Sequence, residues 1–394
     1  MKRALVALLA GVILAACSEA PSPTAVAPEP VFSANADDDN AQVIPGRFIV
    51  TVRDDASPAQ VAADNGVSPD FVYHFALNGF AGSIAEAARS GLMRDARVAR
   101  IEPDGIVTAS TTQSGATWGL DRVDQRSLPL STTYDYNNTG AGVTAYIIDT
   151  GILLTHTEFG GRAVTGFDAV TSGGSAVDCN GHGTHVAGTV GGSTYGIAKG
   201  VSLVAVRVLS CSGSGSTSGV IAGIDWVTAN HVAGAPAVAN MSLGGGASAS
   251  LDAAVRRSIS DGVSYALAAG NGNWIGIAQD ACKYSPARVT EGMTIGASDK
   301  TDRKASWSNY GNCVDFFAPG VGITSSWYSS TTATNTISGT SMATPHVAGV
   351  AALYLQSNPS AAPSAVRDAL YAATTKGVVT SSKTANNHLL FSNY

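Results

Sequence analysis

Charge is scarce in this chain. Asp, Glu, Lys and Arg make up 13 % of its 394 residues, about half the usual share, so Ser, Thr, Asn and backbone must supply much of the polar surface. No basic stripe exists. From Thr111 onward 15 Lys and Arg stand against 16 Asp and Glu, which argues against a nucleic-acid role. The apolar run Ala4–Ala16 has only 13 residues, too short to span a bilayer and right for a signal peptide. Cysteine is sparse as well. Without Cys17 four remain, Cys179, Cys211, Cys282 and Cys313. An even set in an exported chain reads as disulfides, with three pairings open. No C-x-x-C pair is present for zinc.

Apolar residues and glycine are abundant. A hydrophobic share of 45 % allows a sizeable core and excludes bulk disorder. The 44 glycines show no collagen period and suit tight turns and close backbone approach around a cleft. Lys2 and Arg3 precede the apolar run, and Leu14-Ala15-Ala16-Cys17 resembles a bacterial lipobox. In such sequences the cysteine, here Cys17, is lipidated and becomes the new N-terminus. Residues 18–43 are rich in Pro, Ala and acid without an apolar period, and are expected to form a disordered acidic linker.

Residues 44–110 read as a small α+β domain. Arg47–Arg53 alternates as a strand, and Ser57-Pro58 opens a short helix that Gly66 ends. Phe71–Ala76 and Phe80–Ile84 suggest a hairpin around Asn78-Gly79. Ala85–Arg97 reads as a helix and Val98–Glu102 as a last strand. The order βαββαβ is ferredoxin-like. At this size the domain would be marginal alone.

Between Thr111 and Tyr394 strands and helices alternate. Val143–Asp149, Leu203–Leu209, Ala237–Leu243 and Ser264–Ala269 are apolar runs typical of buried parallel strands. Ser216–His231 and Leu251–Ser260 are helical between them. This is an α/β pattern with a doubly wound parallel sheet, whose ligand crevice lies at strand carboxyl ends. Three polar clusters fall at such places. Asp149-Thr150-Gly151 follows a strand, and Asn180-Gly181-His182-Gly183-Thr184-His185 precedes a helix. Gly339-Thr340-Ser341-Met342-Ala343-Thr344-Pro345-His346 opens a long apolar helix, with Pro345 expected in its first turn. A serine hydroxyl is a poor nucleophile without a base. His182 titrates near neutrality and can take its proton, Asp149 would fix the imidazole tautomer, and the start of the Ser341 helix offers free N–H groups to an oxyanion.

These three motifs, in the order Asp, His, Ser, resemble those of the subtilisin-like serine proteases. Within that family the chain is most similar to the proteinase K group and to aqualysin-like enzymes. The resemblance covers nearly all of Thr111–Tyr394, and the small domain resembles the family's inhibitory propeptide. It implies a secreted serine endopeptidase made as a zymogen, cut near Ala109–Ser110, with Asp149, His182 and Ser341 as triad. Asn271, after Ala268-Ala269-Gly270, matches the oxyanion asparagine. Ser212-Gly213-Ser214-Gly215 and Ser242-Leu243-Gly244-Gly245 match the strands that pair with substrate. Leu243, Ala268, Ala269 and Gly270 would line a pocket for apolar or aromatic side chains before the cut. The 272–281 loop is longer than the resemblance leads one to expect.

The resemblance also pairs Cys179 with Cys211 and Cys282 with Cys313. Structural calcium is implied at two places: Asp315 with the carbonyls of Thr290 and Gly292, and Asp121, Asp124, Gln125 and Ser131. These are the hard oxygen donors that Ca²⁺ takes. Partners are protein and peptide substrates and the chain's own propeptide, as chaperone and inhibitor; a monomer is expected. The mature enzyme would be extracellular or periplasmic, and its precursor lipid-anchored.

Other readings fit less well. His182 and His185 lie three apart, whereas zincins space them by four around a Glu. A lipase or esterase would carry G-x-S-x-G, which the Ser341 motif does not match. A non-catalytic binding protein on this scaffold would have lost a triad residue, and all three are present.

Overall fold

The computed structural model describes residues 31–32, 43–105 and 111–394. Cys17, most of the 18–43 segment and the 106–110 junction lie outside the described residues. The chain divides into two compact units, Met1–Val107 and Thr108–Tyr394.

In the first unit, strands Val43–Val52, Phe71–Tyr73, Gly79–Ser83 and Val98–Gly105 pair antiparallel in the spatial order fourth, first, third, second. With helices Pro58–Asp64 and Glu86–Leu92 this is the ferredoxin-like arrangement. Val50, Val61, Phe80, Leu92 and Ile101 form its core. Three details differ from the sequence reading. The 18–43 segment is not structureless throughout, because Val31–Phe32 pairs parallel with Arg100–Ile101, covering a sheet edge that would otherwise stay unpaired. Tyr73 pairs with Gly79, so the hairpin loop is longer than two residues. Asn78 is drawn out of the turn to donate to the Arg53 and Ala56 carbonyls. The second helix ends at Leu92, since Asp95 is engaged by Arg97 and Asn65 in a turn rather than in helix.

The second unit holds a nine-stranded sheet. Its middle is four adjacent parallel strands in the order Ser264–Ala268, Ala237–Met241, Thr144–Asp149, Ser202–Arg207. Side chains alternate across the sheet, as a period of two requires. Ala145 and Ile147 enter one core with Val186, Val190 and Val347. Tyr146 and Ile148 enter the other with Val220, Ile224 and Val255. Helices His182–Gly191 and Thr340–Ser357 thus cover one face, and Thr217–Asn230 and Ala249–Asp261 the other. Ser216 and Ser248 cap the latter pair with their hydroxyls, a favoured serine role. All four central strands run the same way, so Asp149, Leu209, Ser242 and Ala269 emerge at one edge. That edge is where a crevice forms in such sheets.

Candidate active site

Asp149 ends its strand fully buried. Its Oδ1 lies 2.7 Å from His182 Nδ1 and also accepts from the Thr150 amide at 2.7 Å. His182 is the first residue of its helix, and about a quarter of its side chain remains exposed. Burial disfavours charge on the imidazole. The Asp149 carboxylate, by its field and its hydrogen bond, and Asp178 beyond it outweigh that and raise His182 above its usual value.

Asp178 holds this geometry. Its Oδ1 accepts from Thr150 Oγ1, Asn180 N and Gly181 N, and its Oδ2 from Thr184 N and Oγ1. One buried carboxylate thereby takes the Thr184 amide and those of the turn before the helix, while Asn180 Oδ1 and Thr150 Oγ1 take the orphan amides of His182 and Gly183, and through Thr150 it ties the helix to the Asp149 strand. Sequence reasoning passed over Asp178. Gly181 holds the N-cap position of the His182 helix, so no cap pattern marks Asp178, which lies three residues before that glycine.

Ser341 is the second residue of helix Thr340–Ser357. Pro345 therefore sits inside the helix, not in its first turn. It cannot donate to the Ser341 carbonyl four residues back. The Ser242 hydroxyl takes that place, donating to Ser341 O at 2.8 Å. The Ser341 hydroxyl in turn donates to Ser242 O at 3.0 Å, so its hydrogen bond goes to the strand end and not to His182. Nearby, Asn271 Oδ1 accepts from both the amide and the hydroxyl of Thr340, at 2.8 and 2.9 Å. The acceptor end of the amide is pinned, and Nδ2 is the end left to donate. A Cβ on Gly339 would lie 3.5 Å from Asn271 Nδ2 and from Ser341 N, which puts these two N–H groups around one space.

Two cavities adjoin here and share Leu243, Gly244, Gly245 and Gly246. One, of about 410 Å³, is lined by His182, Gly213, Ser214, Gly215, Ser242 and Leu251 among others. Ser212 is not on its wall; its hydroxyl lies with those of Ser210 and Ser214. The other, of about 260 Å³, is lined by Ala268, Ala269, Gly270, Asn271, Asn309, Thr340 and Ser341. The two segments matched to substrate strands thus border one continuous cleft.

His185 and His346 lie outside this constellation. Both are buried, which lowers each to about 4, and each bonds a backbone carbonyl, of Ile323 and Met342. Cys179–Cys211 and Cys282–Cys313 are disulfides, closing separations of 32 and 31 residues.

The two residue sets considered for calcium differ. Asp121 accepts from Ser131 N, Ser131 Oγ and Thr132 N, and Gln125 Oε1 also accepts from Ser131 N. Asp124 Oδ1 is buried without a hydrogen-bond partner. Burial, with the charges of Asp135 and Asp121, pushes the Asp124 carboxyl up to about 7 against the bond it accepts from the Asp135 amide. Among the described residues no group of three or more His, Cys, Asp or Glu side chains is gathered to hold a metal ion; the unpartnered Asp124 oxygen is a hard donor of the kind Ca²⁺ takes. Asp315 is already satisfied, by Arg367 at 2.7 Å and Thr294 N at 2.9 Å. Both oxygens of Asp315 are thus engaged in this structure, one of them by the Arg367 guanidinium.

Comparison with known proteins agrees with this geometry. Residues 140–391 match the subtilase family, peptidase S8. An extracellular serine proteinase of Thermus sp. (strain Rt41A) is 53 % identical, over 99 % of both chains. Alkaline serine exoprotease A of Vibrio alginolyticus is 54 % identical over 83 % of this chain and 60 % of its own length. The crystal structure of a cold adapted subtilisin-like serine proteinase superposes with a TM-score of 0.68 at 56 % identity, covering 71 % of this chain and all of that one. The chain belongs to the subtilase family of serine endopeptidases.

Proposed function

We propose that the chain hydrolyses peptide bonds through an Asp149–His182–Ser341 triad and an acyl-enzyme on Ser341. The observation that carries this reading is the 2.7 Å bond from His182 Nδ1 to buried Asp149, which leaves Nε2 for the cleft. Ser341 Oγ turns from the Ser242 carbonyl, passes its proton to His182 Nε2 and attacks the scissile carbonyl. Asn271 Nδ2 and the Ser341 amide stabilise the oxyanion. His182 then protonates the leaving amine, and water repeats the sequence to release the acyl group. Small apolar walls at Leu243, Ala268 and Ala269 favour apolar or aromatic residues before the cut.

The first unit acts as an inhibitory propeptide, removed by self-cleavage near Ala109–Ser110. Export is supported by the signal-like N-terminus and by the extracellular Thermus relative. Cys17 carries lipid in the precursor, and cleavage frees the enzyme from it. Asp121 and Asp124 with Gln125 and Ser131 are the residues that would hold calcium, which would supply positive charge to neutralise these carboxylates and would tie down their loop. Ser341→Ala is the test: casein digestion and self-processing should both stop while the fold persists, and a serine-directed sulfonyl inhibitor should do the same to the wild type. Self-cleavage of the variant at the normal rate would remove Ser341 as nucleophile.

A further inference from the structure

Three large apolar side chains stand in solvent on one short loop. Trp274 is 94 % exposed, Ile275 55 % and Ile277 56 %. Clustered exposure of this kind marks an interaction site. The loop is ordered by its own bonds: Asn273 Oδ1 accepts from Ile275 N and Ile277 N, and Asn273 N donates to Ile277 O. At its base Asn309 Oδ1 accepts from Gly272 N at 3.1 Å and Gln279 N at 2.8 Å. Asn309 Nδ2 also donates to Ala269 O at 2.8 Å. Ala269, Gly272 and Asn309 line the 260 Å³ cavity, so one side chain anchors both pocket wall and loop. Trp274 is two residues from Gly272, within about 7 Å along the chain.

We propose that the 273–278 tip is a docking surface for the polypeptide substrate, meeting apolar side chains of the segment that runs past the residue held in the pocket. This rests on the proteolytic reading of the cleft. Continuity with the pocket names the occupant: a chain seated there passes within reach of the tip. A preorganised loop loses little entropy on contact, and tryptophan is a frequent anchor at interfaces. A lipid surface is the weaker candidate, because residues 272–281 contain no Lys or Arg and one acid, Asp280, whereas interfacial anchors are rich in base.

The test compares kcat/KM of the mature enzyme on unfolded casein with that on a blocked dipeptide anilide, for wild type, Trp274→Ser, Ile275→Ser and Trp274→Phe. The long-to-short ratio should fall about five- to twenty-fold in the serine variants, mainly through KM on casein, and Trp274→Phe should keep most of it. An unchanged ratio with normal dipeptide turnover overturns the docking role and leaves the proteolytic reading standing. An unchanged ratio with lost binding to phosphatidylcholine vesicles assigns the tip to lipid and overturns it equally. Wild-type enzyme that cuts neither substrate removes both readings.

Discussion

Ser242 and Ser341 exchange two hydrogen bonds, each hydroxyl donating to the other's carbonyl, at 2.8 and 3.0 Å. The pair joins the end of one central strand to the first turn of the buried helix. The bond from Ser242 fills a place that Pro345 leaves open, since proline gives the Ser341 carbonyl no helical donor.

Ser242→Ala should therefore destabilise the protein by about 1–2 kcal/mol, the cost of a part-buried carbonyl left unpaired. Activity should fall with it, since the Ser341 backbone loses its tie. Adding Pro345→Ala restores an amide donor for that carbonyl and should recover part of the loss. Denaturant unfolding of both single variants and the double variant reads the coupling, and strict additivity would count against this account.

Thr340 holds Asn271 by two bonds. Asn271→Ala should lower kcat by about 10²–10³-fold, the loss measured for the corresponding change in subtilisin. Thr340→Val keeps the shape and one of the two bonds, so its loss in kcat should be smaller, with KM nearly constant. A change in KM alone would place Thr340 in substrate binding instead.

The pH dependence follows from the direction of the His182 shift. Its base form exists only above a value raised from the ordinary one by Asp149, so kcat/KM should rise with pH through that value and then level off. Asp149→Asn removes the raising charge. The midpoint should move down while kcat drops by about 10⁴-fold, as in the chymotrypsin-type triad. A midpoint that stays in place would separate the rise from His182.

Calcium bound at Asp121 and Asp124 would stabilise the native state by mass action, and should therefore govern resistance to heat before it governs rate. Chelator should lower the inactivation temperature of the wild type and leave its initial rate unchanged. In Asp124→Asn the same treatment should have little further effect. An inactivation temperature indifferent to verified metal removal would exclude the site.

Lipidation at Cys17 predicts where the precursor goes. Trapped as Ser341→Ala it should sediment with membranes, since acyl chains contribute about 0.8 kcal/mol per buried CH₂. Cys17→Ser should release it, and mature enzyme should be soluble in either background. A soluble trapped precursor with no mass added at its N-terminus returns Cys17 to a discarded signal residue.

Candidate residues marked by their own type and immediate surroundings were legible in the chain. Asp149 follows Ile147-Ile148, His182 and Ser341 each lie at the start of a helix, and Asn271 follows a strand that ends at Ala268. Local periodicity sufficed, because strands buried on both faces are apolar throughout. The βαββαβ order of the first unit was legible from a different local pattern, the alternation of half-buried antiparallel strands such as Val43–Val52. Pairing of the four cysteines was not; their spacing left three solutions, and resemblance alone preferred the one found.

Tertiary structure decided the supports. The Ser242 hydroxyl meets Ser341 across 99 positions, Thr340 meets Asn271 across 69, and Arg367 reaches Asp315 across 52. Asp178, Asn309 and Arg367 carry no local pattern that marks them, since a hydrogen bond between distant segments depends on how the strands are ordered in the sheet. The sequence by itself determined the elements and the candidate active side chains, because backbone propensity, burial period and functional group are properties of short stretches. Which carbonyl Pro345 would leave for Ser242, which carboxylate an arginine would neutralise, and which loop would share an anchor with the pocket were settled only when the chain closed on itself.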